Sequence, residues 1–298
     1  MSVMDVQAPV RFGRILYPTD CLNEATVALK YAAGLARSFS SHLELANVID
    51  LTQTFPTMDV LSGPALDSIR RTGELDLERI SGAIAGIPFT RRVIDGFESA
   101  TLILDEAVNT NADLIVLGAS CKHGFSDTSL GARTAEIIGA SSCPILTIGP
   151  CVAAPPDGAI TFQRILYATD FSSPARKAAA IAIRLGHVQG AKVYLCHVIG
   201  KKEGAQQPEC DEASLASLRA LVPEAAKSWC SAECVVEHGK AAEGILALAK
   251  RVNADLIVLG AHKHSYWLSL IHNGIVAAVL SVAQCPILTV GSGSDLNA

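Results

Sequence analysis

At 298 residues, half of them hydrophobic and 18% charged, the chain is about twice the length of a common single domain and has apolar material for two buried cores. A net charge of −5 with no cluster of Lys and Arg argues against nucleic acid and anionic membrane as partners, because neutralising phosphates needs clustered cations. No uninterrupted apolar stretch approaches the ~20 residues of a membrane span, and MSVMDVQAPVRFGR at the start lacks the apolar core of a signal peptide. A soluble, cytoplasmic protein is expected. Its nine cysteines are odd in number and scattered, and they read as free thiols packed as small hydrophobes in a reducing compartment.

In chain order, short β-branched runs alternate with helical patterns, which predicts βαβ units and a parallel sheet. Strands are expected near 14–19, 43–49, 90–94, 113–118 and 144–148, and again near 164–169, 192–198, 233–237, 255–260 and 286–290. After the first strand, Ala25, Ala28, Leu29, Ala32, Leu35 and Ala36 recur at helical spacing, with Asn23 placed to cap the helix. Its counterpart in the second series has Ser173 as cap and Pro174 at the first helical position.

The two series are copies. RILYPTD at 14–20 returns as RILYATD at 164–170, ADLIVLGA at 112–119 returns at 254–261, and CPILT at 143–147 returns at 285–289. Between them, the Pro- and Gly-rich CVAAPPDGAITFQ reads as a connection. The expected organisation is an α/β chain of two tandem doubly wound domains, each a five-stranded parallel sheet of Rossmann-like type, over 11–150 and 161–293 with a linker at 151–160. The last strands, PILTIG and PILTVG, carry no charge. Left at a sheet edge each would be a pairing hazard, and pairing them with each other would make the chain an intramolecular pseudo-dimer.

Taken together, ILYPTD, NVID, ADLIVLGAS, the glycine-spaced loop up to Gly131 and CPIL resemble the universal stress protein family, in that family's order and over nearly the whole chain. The resemblance implies an adenine nucleotide alpha hydrolase-like fold and an ATP- or AMP-binding or regulatory module of the stress response, usually dimeric, with Mg as companion ion to a bound nucleotide and little or no catalytic chemistry of its own. It places the adenosine end at Pro18, Thr19, Asp20 and Val48. A carboxylate there can accept hydrogen bonds from adenine or ribose, although an Asp after a strand is also ordinary turn chemistry. The second copy keeps Asp170 and Val198.

The phosphate loop separates the copies. The family pattern is Gly, two residues, Gly, nine residues, Gly and then Ser or Thr, leading into a helix that favours phosphate. The first copy keeps Gly118 and Gly131 but has Cys121 at the second Gly and Ala132 at the hydroxyl position, while Gly124 keeps the loop flexible and Lys122 and Arg133 supply charge. The second keeps Gly260 but has Lys263, Asn273 and Gly274 at the remaining positions, with Tyr266, Trp267 and Leu268 inside the loop. It resembles the UspA-type branch, which does not bind ATP, and is expected to be degenerate.

Competing chemistry is thin. His262, His264 and His272, with His238, form no recognisable zinc pattern and read as solvated loop residues. Cys230 and Cys234 lack redox-dithiol spacing, and Cys121 beside Lys122 and His123 is a candidate redox sensor only. No catalytic residue can be named, and slow ATP hydrolysis is the most that the loop suggests. Two readings stay open: a regulator binding nucleotide in its first half, with an unknown protein partner and further homodimerisation undecided, or a nucleotide-independent interaction scaffold.

Overall fold

The computed structural model describes residues 10–21, 27–51, 63–119, 132–200, 207–228, 230–261, 274–291 and 293. Its first half runs β1 (Arg14–Thr19), α1 (Val27–Phe39), β2 (His42–Asp50), α2 (Gly63–Ser81), β3 (Phe89–Gly96), α3 (Ser99–Asn109), β4 (Leu114–Gly118), α4 (Ala132–Ala140) and β5 (Ile145–Ile148). Its second repeats the order: β6 (Arg164–Thr169), α5 (Ser173–Gln189), β7 (Lys192–Ile199), α6 (Gln207–Ala220), β8 (Ala232–His238), α7 (Ala241–Val252), β9 (Leu256–Ala261), α8 (Ile275–Leu280) and β10 (Ile287–Gly291).

The central strands are buried along nearly their whole length and carry no charge beyond the exposed Arg14 and Arg164 that open β1 and β6, so both faces of the sheet are buried. Ile15 and Tyr17 belong to one core and Leu16 to the other, as strand alternation dictates, and both cores draw residues from the two halves. Each half has its strands in the order 3-2-1-4-5, with the crossover between β1 and β4 opening a crevice at the carboxyl ends of the strands. All neighbours within a half are parallel. Between halves, β5 and β10 pair antiparallel, Leu146 opposite Leu288, which makes one ten-stranded sheet in the order β3-β2-β1-β4-β5-β10-β9-β6-β7-β8. The uncharged strands lie at the centre of that sheet and its outer edges are β3 and β8.

One expectation needs correction. Ser172, not Ser173, caps α5: its Oγ accepts from the Ala175 backbone N–H at 3.4 Å, and Ser173 is already helical with Pro174 following. The shift by one arises because Asp170 Oδ1 accepts from the Ser172 N–H at 2.9 Å, drawing the turn tight before the helix begins. The connection between the halves packs against the first of them. Ile160 and Phe162 are buried, and the Ile160 N–H donates to the Gly34 carbonyl of α1 at 3.2 Å. A side chain at Gly34 would lie 2.5 Å from Ile160, so glycine there is what lets the connection bed down. Asn23 and Ala25 lie outside the described residues.

At the β5–β10 seam, Thr289 Oγ1 donates to the Ile145 carbonyl at 3.3 Å, whereas the buried Thr147 hydroxyl has no partner among the described residues. Thr147→Val replaces an unsatisfied hydroxyl by a methyl and is expected to stabilise the protein by about 1 kcal/mol, read as a higher urea midpoint at unchanged m-value.

Burial pushes the Cys143 thiol up to about 11 and those of Cys196 and Cys285 up to about 12. An unfolded chain ionises these thiols near their ordinary value of about 8.5. The unfolded state then sheds protons that the folded state keeps, so this contribution to stability is complete below that value and is lost as pH rises toward the folded values. Melting temperature is expected to fall steadily from about pH 8.5 to 11, and less steeply in a Cys196→Ala, Cys285→Ala variant.

Candidate functional site

In both halves the first strand ends in the same turn. The Cys21 N–H donates to Thr19 Oγ1 at 3.0 Å and the Phe171 N–H to Thr169 Oγ1 at 2.8 Å, with Cys21 and Phe171 in the left-handed region at φ 57° and 62°. This turn holds Asp20 and Asp170 exposed at the crevice rim. The next strand is in identical register in each copy, Asn47 opposite Thr19 and His197 opposite Thr169. His197 Nδ1 lies 2.8 Å from the Thr169 carbonyl, an acceptor only. In its neutral form the ring therefore carries its proton on Nδ1 and leaves Nε2 as an acceptor. Its ring packs on Phe171 at 4.6 Å between centroids.

Of the residues singled out in the first half, Pro18 is buried in β1, Thr19 ends it, Val48 is half-buried on β2, and Gly118 ends β4 on the other side of β1. The fold thus gathers Thr19, Asp20, Val48 and Gly118 at one crevice. Cys121, Gly124 and Gly131 lie outside the described residues, as do Lys122 and the loop histidines His262, His264 and His272. Ala132 opens α4, and Arg133 follows it in the first turn.

The guanidinium of Arg133 lies 3.5 Å from the carboxylate of Asp50 at the end of β2, and that carboxylate also faces the Ser99 N–H of α3 at 3.4 Å. Asp50 is largely buried and Arg133 half-exposed, so the pair fastens α4 and α3 to β2 at the rim of the crevice. The repeat offsets put Gly200 at the position of Asp50 and Ile275 at that of Arg133. Both members of the pair are gone from the second half. Asp50 escaped the motif reading, and comparing NVID with HVIG is the signal that finds it.

Where the second half lacks the pair, a cavity of about 270 Å³ opens at the ends of β6, β7 and β9, with Asp170, His197, Val198 and Ile275 in its wall. Ala135 and Ile138, from α4 of the first half, also line it. None of its described lining residues is Lys or Arg. The tight point is Gly260, where a side chain would come within 2.5 Å of the Ala175 backbone of α5. Gly118 has more room, its nearest neighbour being Ala28 at 3.4 Å.

Two consecutive copies of this crevice geometry coincide with two matches to the model of the universal stress protein family, over residues 11–149 and 161–291. The chain belongs to the universal stress protein family. Universal stress protein Slr1230 of Synechocystis sp. is 24% identical, aligned over 92% of this chain and 98% of its own length. Universal stress protein Sll1654 of the same organism is 29% identical over 138 residues, 45% of this chain and 88% of that one. Among solved structures, a universal stress protein from Archaeoglobus fulgidus superimposes with a TM-score of 0.71 at 19% identity, covering 95% of this chain and 97% of that one. This likeness bears on the fold. Among the described residues of this tandem family member, no helix is long and apolar enough to cross a membrane, and no group of three or more His, Cys, Asp or Glu is placed to hold a metal ion.

The Asp50–Arg133 pair can be measured by converting it to its second-half equivalent. In urea unfolding of Asp50→Gly, Arg133→Ile and the double variant, the double is expected to lose less than the sum of the singles. A coupling of about 0.5–1 kcal/mol suits a half-exposed pair, and strict additivity would show that the two side chains do not interact.

Proposed function

We propose that this chain is a cytoplasmic, non-catalytic stress-response module whose first half binds ATP or AMP and whose second half has lost that capacity. The observation that carries this reading is the unequal charge at the crevice rim: Arg133 stands in the first turn of α4, and its counterpart is Ile275. A guanidinium has five N–H donors, so Arg133 can hold Asp50 and still donate to a phosphate. In this reading Pro18, Thr19, Asp20 and Val48 take the adenosine end. Gly118, Cys121, Gly124, Gly131, Ala132 and Arg133 take the phosphates, with Mg as companion ion. The domains are 11–150 and 161–293, with residues 151–160 linking them. Pairing of β5 with β10 supports treating the halves as each other's partner, an intramolecular pseudo-dimer, and leaves β3 and β8 as the edges through which a second chain or a protein partner could add.

Calorimetric titration of ATP and AMP, with and without Mg, is the test. One nucleotide per chain is expected, weakened at least about tenfold by Arg133→Ile and abolished by Gly131→Glu, while Asp170→Ala leaves affinity unchanged. No heat at millimolar nucleotide would reject the reading and leave the nucleotide-independent scaffold standing.

A further inference from the structure

We infer that the cavity of the second half is a binding site for a small uncharged molecule with an apolar ring body and a hydrogen-bond donor, and not for a nucleotide. Three observations carry this. The cavity, at about 270 Å³, sits near the lower end of small-molecule pockets, which run from about 300 Å³, so it suits one or two fused rings. Its wall is mostly apolar: Ile245 and Ile275 are large, while Ala168, Ala241 and Ala277 leave the space open. The polar groups in its wall include the carboxylate of Asp170, which accepts, the hydroxyl of Thr169, and the ring of His197, whose Nδ1 is engaged by the Thr169 carbonyl.

Charge decides the class. With a carboxylate in the wall and no Lys or Arg among the described lining residues, an incoming phosphate would meet repulsion that no described side chain of the wall offsets. A ligand N–H or O–H meets complementary acceptors instead. At the same rim of the first half the Asp50–Arg133 pair places two charges, and the positions that correspond to them in the second half are Gly200 and Ile275. This assignment is independent of nucleotide binding in the first half.

Indole, an uncharged bicycle with one N–H, is the probe. With isoleucine δ1 methyls labelled in the full chain, indole is expected to shift the Ile245 and Ile275 signals saturably, with one indole bound per chain by calorimetry. Millimolar ATP is expected not to displace it. Ile275→Arg, which restores the first half's cation, should weaken binding at least about tenfold, and Ala241→Trp should abolish it. Arg133→Ile should keep indole binding while weakening ATP binding, which separates failure of this proposal from failure of the nucleotide reading. Unmoved Ile245 and Ile275 methyls, displacement of indole by ATP, or unchanged affinity in both cooperatively melting variants would overturn it. If neither variant melts cooperatively, the methyl shifts and ATP competition on the unmodified chain decide.

Discussion

Everything in this molecule is referred to the antiparallel pairing of β5 with β10. Two strands without a single charge cannot be left facing water, since their open backbone groups would recruit any other strand. Joining them removes both hazards at once, and it merges two sheets and two sets of helices over cores shared by both halves. The packed connection through Ile160 and Phe162 reinforces the arrangement from the α1 side. The halves are thus not separable beads, and a substitution at the seam perturbs both.

Against this shared frame the crevices diverge by a few side chains. The strand-end turn, its left-handed residue and the register of the neighbouring strand are the same in both copies. The difference lies in what spans the rim: a charged pair fastening α4 in one copy, an exposed isoleucine beside an open apolar space in the other. The sheet requires its strands in both copies, so the side chains at the rim can differ without touching the core.

Much of the fold was legible because parallel strands buried on both faces are unbroken apolar runs, and the repeat printed each run twice. The Thr-Asp turn was legible for a similar reason, being local. Ser172 was missed by one position because the Asp170 turn, invisible in helical periodicity, sets where the helix starts. The partnership of Asp50 with Arg133 joins residues far apart in the chain, and motif matching had no place for it. Ala135 and Ile138 could not have been assigned to the second cavity at all, since they reach it only once β5 and β10 are paired. The connection reads as a linker from its Pro and Gly content alone, which gives no sign that its buried Ile160 answers a glycine more than a hundred residues earlier.

Helix α4 has a position that its length conceals. Arg133 in its first turn stands at one crevice, while Ala135 and Ile138 form wall for the other. At about 1.5 Å per residue, the five residues from Arg133 to Ile138 span only about 7.5 Å. A rod so short cannot tilt or slide at one end and stay still at the other. The two crevices therefore share a mechanical part, one helix whose first turn stands at one rim and whose next turn walls the other.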